Sequence, residues 1–296
     1  MHSAPMTERR LGAGSAILAY VALLLGFIVI GIPVQQYNIV AGLWITEALA
    51  IALPAVAVIW FAGLRLAPYL GLRAPTGFQL LIAAVVAAAN QPIVSLLTYL
   101  AHEGLPAKLV ADFDAKQRML DGVFAGHALP MIITVAIAAP LGEELFFRGF
   151  ALPALRRSWG ALLAVLVSGA LFSALHLDPV GFIGLLEIGV MLALLRIWSG
   201  SLWPSVLAHA VNNGIAGAAF MMGFEDPDAP PPRWVLLLGV VLLIGGVVLA
   251  VRVLLRHRET PVVEEDAAGR ARWAWALSTV WAVSAVLGAL RLLHRA

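Results

Sequence analysis

The 296-residue chain has 19 Lys plus Arg, 17 Asp plus Glu and a formal net charge of +2, and it is 61% hydrophobic and 12% charged. That is about half the charged share of a soluble domain, and the apolar runs near 20 residues exclude one, while the absence of ten-residue alternation excludes a transmembrane barrel. With no cysteine there are no disulfides, thiolate nucleophiles, Cys-ligated metals or lipidated thiols, and basic residues scattered in loops do not make a nucleic-acid surface.

The pattern predicts an all-α fold, a polytopic transmembrane helical bundle of 8–9 spans around a buried active-site cavity. The first span is expected over 11–33, behind Arg9 and Arg10, as an anchor without a cleavable signal. An uncharged turn at 34–38 leads to a second span over 39–64. The third, 78–101, is expected to be interrupted at Asn90-Gln91-Pro92, where proline removes a backbone donor. In the stretch 102–122, Asp112, Asp114, Lys116, Arg118 and Asp121 alternate in sign and read as a solvated connector, a loop or short surface helix.

A fourth span over 127–155 contains Glu143, Glu144 and Arg148. Four more follow at 159–177, 180–197, 202–222 and 234–255, and a last apolar stretch, 273–290, is just long enough to cross. With the N-terminus cytoplasmic, inner loops carry twice as many basic residues as outer ones, the orientation favoured by the positive-inside rule. Only Lys108 and Lys116 are lysine, a bias that fits a GC-rich bacterial source and a bacterial cytoplasmic membrane. Three regions are expected: N-terminal helices and connector (1–123), a catalytic core (124–222) and C-terminal helices (223–296).

The buried polar residues carry the chemistry. A charge near the bilayer centre costs about 2.5–3.5 kcal/mol on the lenient insertion scale, so three within six residues need partners, a function or both. Glu144 and Arg148, spaced i,i+4 with the acid first, can neutralise each other. Glu143 lies about 100° round the helix and finds no such partner in its own segment, which makes it a candidate general base. Pro140 and Gly142 favour a bend that frees the Ala136 carbonyl.

His176 ends the fifth span. His209 and Asn213 share one face of the seventh, with Asn212 on another. Counted inward at 1.5 Å per residue, these groups can reach a common level near the membrane middle, a site expected to open toward the cytoplasm. Glu47, Asn90 and Gln91 read as helix bridges, and Glu187 as a bridge or a cavity-lining residue.

Glu-Glu-x-x-x-Arg at 143–148, Phe-x-x-x-His at 172–176 and His-x-x-x-Asn at 209–213 resemble, in order, spacing and helical placement, the three signatures of the CPBP intramembrane protease family. That family includes type 2 CAAX prenyl proteases and bacteriocin-processing or immunity (Abi) proteins. The resemblance covers about residues 124–222. It implies that Glu143 and His176 activate a water, that His209 and Asn213 hydrogen-bond the oxyanion, and that Glu144 and Arg148 brace the site, with Phe172 packed beside His176.

A Glu–His pair can take the water's proton and return it to a leaving amine, and imidazole and amide N–H groups suit an oxyanion. A metal-free mechanism is expected ahead of a zinc one, whose ligands would be Glu143, His176 and His209. The expected partners are the lipid bilayer and a membrane-associated protein or peptide substrate, prenylated or not. Oligomeric state stays open. The alternative class is a non-proteolytic membrane scaffold, immunity protein or proton-coupled transporter using the same acids.

Overall fold

The computed structural model describes residues 11–222 and 230–257, and among them every regular element is helical. In chain order these are α1 (Ala13–Tyr37), α2 (Ile39–Phe61), the short α3 (Leu66–Leu70) and α4 (Gly77–Gly104). A 69-residue helical run, Ala107–Leu175, follows. Non-helical backbone at His127 (φ −142°, ψ 35°) and Gly160 (φ 76°, ψ 174°) divides it into α5 (107–126), α6 (128–159) and α7 (161–175). Then come α8 (Phe182–Ser199), α9 (Trp203–Met221) and α10 (Arg233–Arg256).

Six helical runs among the described residues are long and apolar enough to cross a membrane, with 107–175 counted once; dividing that run into α6 and α7 and adding α9 brings the apolar rods to eight, roughly the lower expected count. The ninth candidate, 273–290, lies outside the described residues. Large apolar side chains face outward along these rods, among them Leu237, Val241, Ile244 and Leu249 of α10. A shell of that kind is stable in acyl chains rather than in water, so the protein is an integral, multi-pass membrane protein.

Four π-helical turns interrupt the rods, at Phe27–Gly31, Thr46–Ala52, Thr134–Ala138 and Leu145–Ala151. Each ends two residues before a proline: Pro33, Pro54, Pro140 and Pro153. A proline clashes with the carbonyl four residues back, and a wider turn relieves the clash by shifting the bond to i−5. Accordingly Ala139 N–H bonds Thr134 O and Leu152 N–H bonds Phe147 O. Two of these turns bracket Glu143 and Glu144.

Three local expectations are corrected. Residues 34–37 continue α1, and Asn38 breaks the chain by capping α2 through Ala41 N–H (2.9 Å). Helix α4 runs unbroken through Pro92, and the polar residues beside it are bonded to other helices, Asn90 to Glu187 and Gln91 to Asn212. The connector 102–122 contains most of α5, a helix of about five and a half turns and so longer than the loop or short helix expected.

Helix α6 is the centre of the bundle, packed by α1, α2, α7 and α9, while α4, α8 and α10 close the other side. Its Phe146, Phe147 and Phe150 are fully buried with Phe172 of α7 and Leu155. The Phe147 and Phe172 rings meet edge-on (5.5 Å, 85°). This aromatic layer fixes the rotation of α6 and hence the direction in which its charged residues point.

Candidate functional site

Glu144 and Arg148 are both fully buried and pair at 2.6 Å, Arg148 Nη1 donating to Glu144 Oε1. Arg148 Nη2 donates to the Gly189 carbonyl of α8 (2.9 Å), and its Cζ stands 4.6 Å above the Phe172 ring. The guanidinium thus ties α6 to α7 and α8.

His209 of α9, 3% exposed, straddles the adjacent acids. Its Nδ1 is 3.1 Å from Glu144 Oε1, and its Nε2 is 3.7 Å from Glu143 Oε2. The first is a hydrogen bond that orients the imidazole; the second is too long to be one. Glu143 Oε2 is buried with no hydrogen-bond partner, an acceptor aimed at His209 and otherwise uncommitted.

His176 ends α7, half-buried, its Nδ1 3.0 Å from the Phe172 carbonyl. A carbonyl only accepts, so Nδ1 carries the proton there and Nε2 keeps its lone pair in the neutral ring. No hydrogen bond or ion pair joins His176 to Glu143. What links it to the other groups is Phe172, 1% exposed, whose ring centroid lies 5.0 Å from that of His176 and 5.5 Å from that of His209. Phe172 is core, as its spacing suggests, and it is also the wedge that sets the two imidazoles apart.

Asn213 is placed by the π turn. With bonds shifted to i−5, Pro140 is the residue that should donate to Val135 O, and it has no N–H. The carbonyl freed is therefore that of Val135 rather than the expected Ala136. Asn213 Nδ2 fills the vacancy at 2.8 Å, which leaves its second N–H available. Asn212 does not point away as expected: it donates to Asn213 Oδ1 (3.3 Å) and accepts from Gln91 (2.8 Å), carrying the network to α4.

Of the two lone glutamates, Glu187 takes one of its two expected roles and Glu47 departs from the bridge expected of it. Glu187 is a bridge, accepting from Asn90 at 2.7 Å. Glu47, 7% exposed in the π turn of α2, lies against Gly142, the residue directly before Glu143. A Cβ at Gly142 would collide with Glu47 Oε2 and stand 2.9 Å from its carbonyl oxygen. Glu47 Oε2, too, has no partner. The site therefore holds three carboxylates, and sequence spacing missed the third because it comes from another helix; the glycine directly before Glu143 was its available signal.

Glu143, His176 and His209 do not converge as metal ligands, and no other three His, Asp or Glu side chains do so among the described residues. Helix α5 does reach the site: Lys116 Nζ donates to the His176 carbonyl and pairs with Asp178, both at 3.3 Å. Asp178 also accepts from Gly181 N–H (2.9 Å), fixing the turn in which Leu177 takes a left-handed backbone (φ 49°). A cleft of about 770 Å³ opens beside this turn, walled by Leu105, Ala174, Leu177, Pro179 and Ile183. It lies at the end of α7 opposite Arg156 and Arg157.

Residues 125–215 match the family model described as type II CAAX prenyl endopeptidase Rce1-like, a match in keeping with the CPBP resemblance. The chain is also similar to an uncharacterized 24.3 kDa protein of Escherichia coli, 35% identical over 96 residues. That match covers 29% of this chain and 44% of the E. coli protein, so under half the length of the relative is spanned. No solved structure matches the chain significantly.

Proposed function

We propose that this chain, whose residues 125–215 match the type II CAAX prenyl endopeptidase Rce1-like family model, is an intramembrane endopeptidase acting on a membrane-associated protein or peptide. The observation that carries the reading is the His209 imidazole held between Glu143 and Glu144, with the pair behind it braced by Arg148. The Glu143 oxygen facing the imidazole has no hydrogen-bond partner, which leaves it able to take one from a water.

In the proposed mechanism Glu143 takes a proton from a water placed between its carboxylate and His176, whose Nε2 can accept. The hydroxide attacks the scissile carbonyl. Glu144 holds Nδ1 of His209, an arrangement analogous to the acid that orients histidine in a Ser-His-Asp triad. With its Nδ1 held by Glu144, His209 turns its Nε2 edge toward the oxyanion, and the free N–H of Asn213 donates to it. The proton held by Glu143 then passes to the leaving amine, so no net proton is consumed before the products ionise. One such oxyanion donor lowers the barrier by about 2.7–4 kcal/mol. Because the three candidate ligands do not converge, no step is routed through a metal.

The apolar cleft beside His176 suits a hydrophobic polypeptide segment. With the N-terminus cytoplasmic, substrate would approach that cleft from the outer half of the bilayer. With the opposite orientation it would come from the cytoplasmic side, where prenylated CAAX-type chains reside. Cysteine scanning of 177–181 with a membrane-impermeant reagent fixes the side. The activity itself is tested by mass spectrometry of peptides, prenylated and unprenylated, incubated with purified protein. Single substitutions Glu143→Ala, His176→Ala and His209→Ala abolish cleavage with folding retained if the protein is a protease. A scaffold or transporter yields no products from any of them, wild type included.

A further inference from the structure

At the opposite end of the bundle two loops are clasped by a pair of arginines. Gly71 ends α3 and Gly200 ends α8, both left-handed (φ 72° and 64°). The guanidinium of Arg196 lies on Gly71, and that of Arg73 lies on Gly200. A Cβ at Gly71 would stand 2.6 Å from Arg196 Cζ, and one at Gly200 2.9 Å from Arg73 Cζ. Backbone staples hold the loops together: Leu202 N–H donates to Gly71 O (2.9 Å), Ser201 Oγ to Arg73 O (2.7 Å) and Arg73 Nη2 to Ser199 O.

The clasp brings like charges together. Arg73 and Arg156 are the charged groups that face Arg196. Arg156 donates to the His257 carbonyl at 3.0 Å. Among the described residues no carboxylate pairs with Arg73 or Arg196, and Arg196 Nε–H is buried without an acceptor. A fold that fixes two guanidiniums on one double loop, with no described carboxylate paired to either, concentrates positive charge there and leaves their remaining N–H groups to an anion that fits them.

We propose that Arg73 and Arg196 form a binding site for a phosphate-bearing anion at the arginine-rich membrane boundary. The chemistry is bidentate guanidinium–phosphate recognition, available from an anionic phospholipid headgroup or from free phosphate. The site is separate from the carboxylate–imidazole cluster and does not depend on the proteolytic reading.

The test compares thermal unfolding of the full chain in three settings. These are phosphatidylglycerol nanodiscs, phosphatidylcholine nanodiscs, and phosphatidylcholine nanodiscs with inorganic phosphate against chloride of equal ionic strength. Wild type should unfold about 3–5 °C higher where the site is filled, and Arg73→Gln/Arg196→Gln should lose that increment. A rise with phosphatidylglycerol alone assigns the site to lipid; a rise with inorganic phosphate assigns it to the free ion. Equal Tm of wild type in all three settings, or the same increment in the double variant, overturns the site. Should the double variant not fold, Arg73→Gln alone must lose at least half the increment, and an undiminished increment overturns the site equally.

Discussion

Replacing Arg148 by methionine keeps most of the side chain's volume and removes its charge and all of its donors. Three interactions go at once: the 2.6 Å pair with Glu144, the 2.9 Å bond to Gly189 O and the cation over Phe172 at 4.6 Å. Breaking a buried ion pair from one side costs about 3–5 kcal/mol, because the partner charge stays behind. The stripped Gly189 carbonyl adds about 1–3 kcal/mol taken alone, but the losses overlap and Glu144 retains His209 Nδ1. About 4 kcal/mol is therefore expected for Arg148→Met. Adding Glu144→Gln removes the stranded charge, so the double variant should recover about 2 kcal/mol against the sum of the two singles. Equilibrium unfolding in mixed micelles, followed by tryptophan fluorescence with far-UV circular dichroism as a second probe, gives the cycle. Arg148→Met within about 1 kcal/mol of wild type, or strictly additive singles, would refute the brace.

Other expectations follow from individual contacts. Gly142→Ala drives a methyl group into Glu47 and should destabilise by about 1–3 kcal/mol in the same titration, whereas Glu47→Gln, of equal shape, should not lower stability. Asn213→Ala strips the Val135 carbonyl of its donor and costs about 1–3 kcal/mol; as an oxyanion donor its loss should also lower kcat about 10²–10³-fold with KM little changed. Lys116→Met severs the contact of α5 with the His176 carbonyl. It should reduce kcat while changing stability by no more than about 1 kcal/mol, the usual limit for a partly exposed pair, and steady-state kinetics with an unfolding control checks both. Cleavage by protein stripped with a chelator should match untreated protein, and restoration of lost activity by zinc alone would contradict the metal-free reading.

Much of the membrane architecture was legible because hydrophobic length is a strong one-dimensional signal. The i,i+4 pair of Glu144 and Arg148 was legible for the same reason, since helical geometry alone brings the two together. Contacts between helices were harder. Glu47 looked like a bridge because its partner surface, Gly142, is 95 positions away, and nothing local to Glu47 announces it. The Asn213 partner was misplaced by one residue because a regular helix was assumed. The proline two positions after each π turn marks where the bond register shifts, and Pro140 carries that mark. Asn90-Gln91-Pro92 was expected to interrupt its helix because proline removes a backbone donor, while the partners that tie the segment into the bundle, Glu187 and Asn212, were not visible locally.

The claim on which the account rests is that Glu143 supplies the base for water attack on a peptide bond. Mass spectrometry of a peptide panel in chelating buffer, with wild type beside a folded Glu143→Gln variant of nearly identical shape, tests it most directly. The account predicts a single cleaved bond in at least one peptide with wild type, and a rate lower by about 10²–10⁴-fold for Glu143→Gln. Cleavage by Glu143→Gln at the wild-type rate would contradict it.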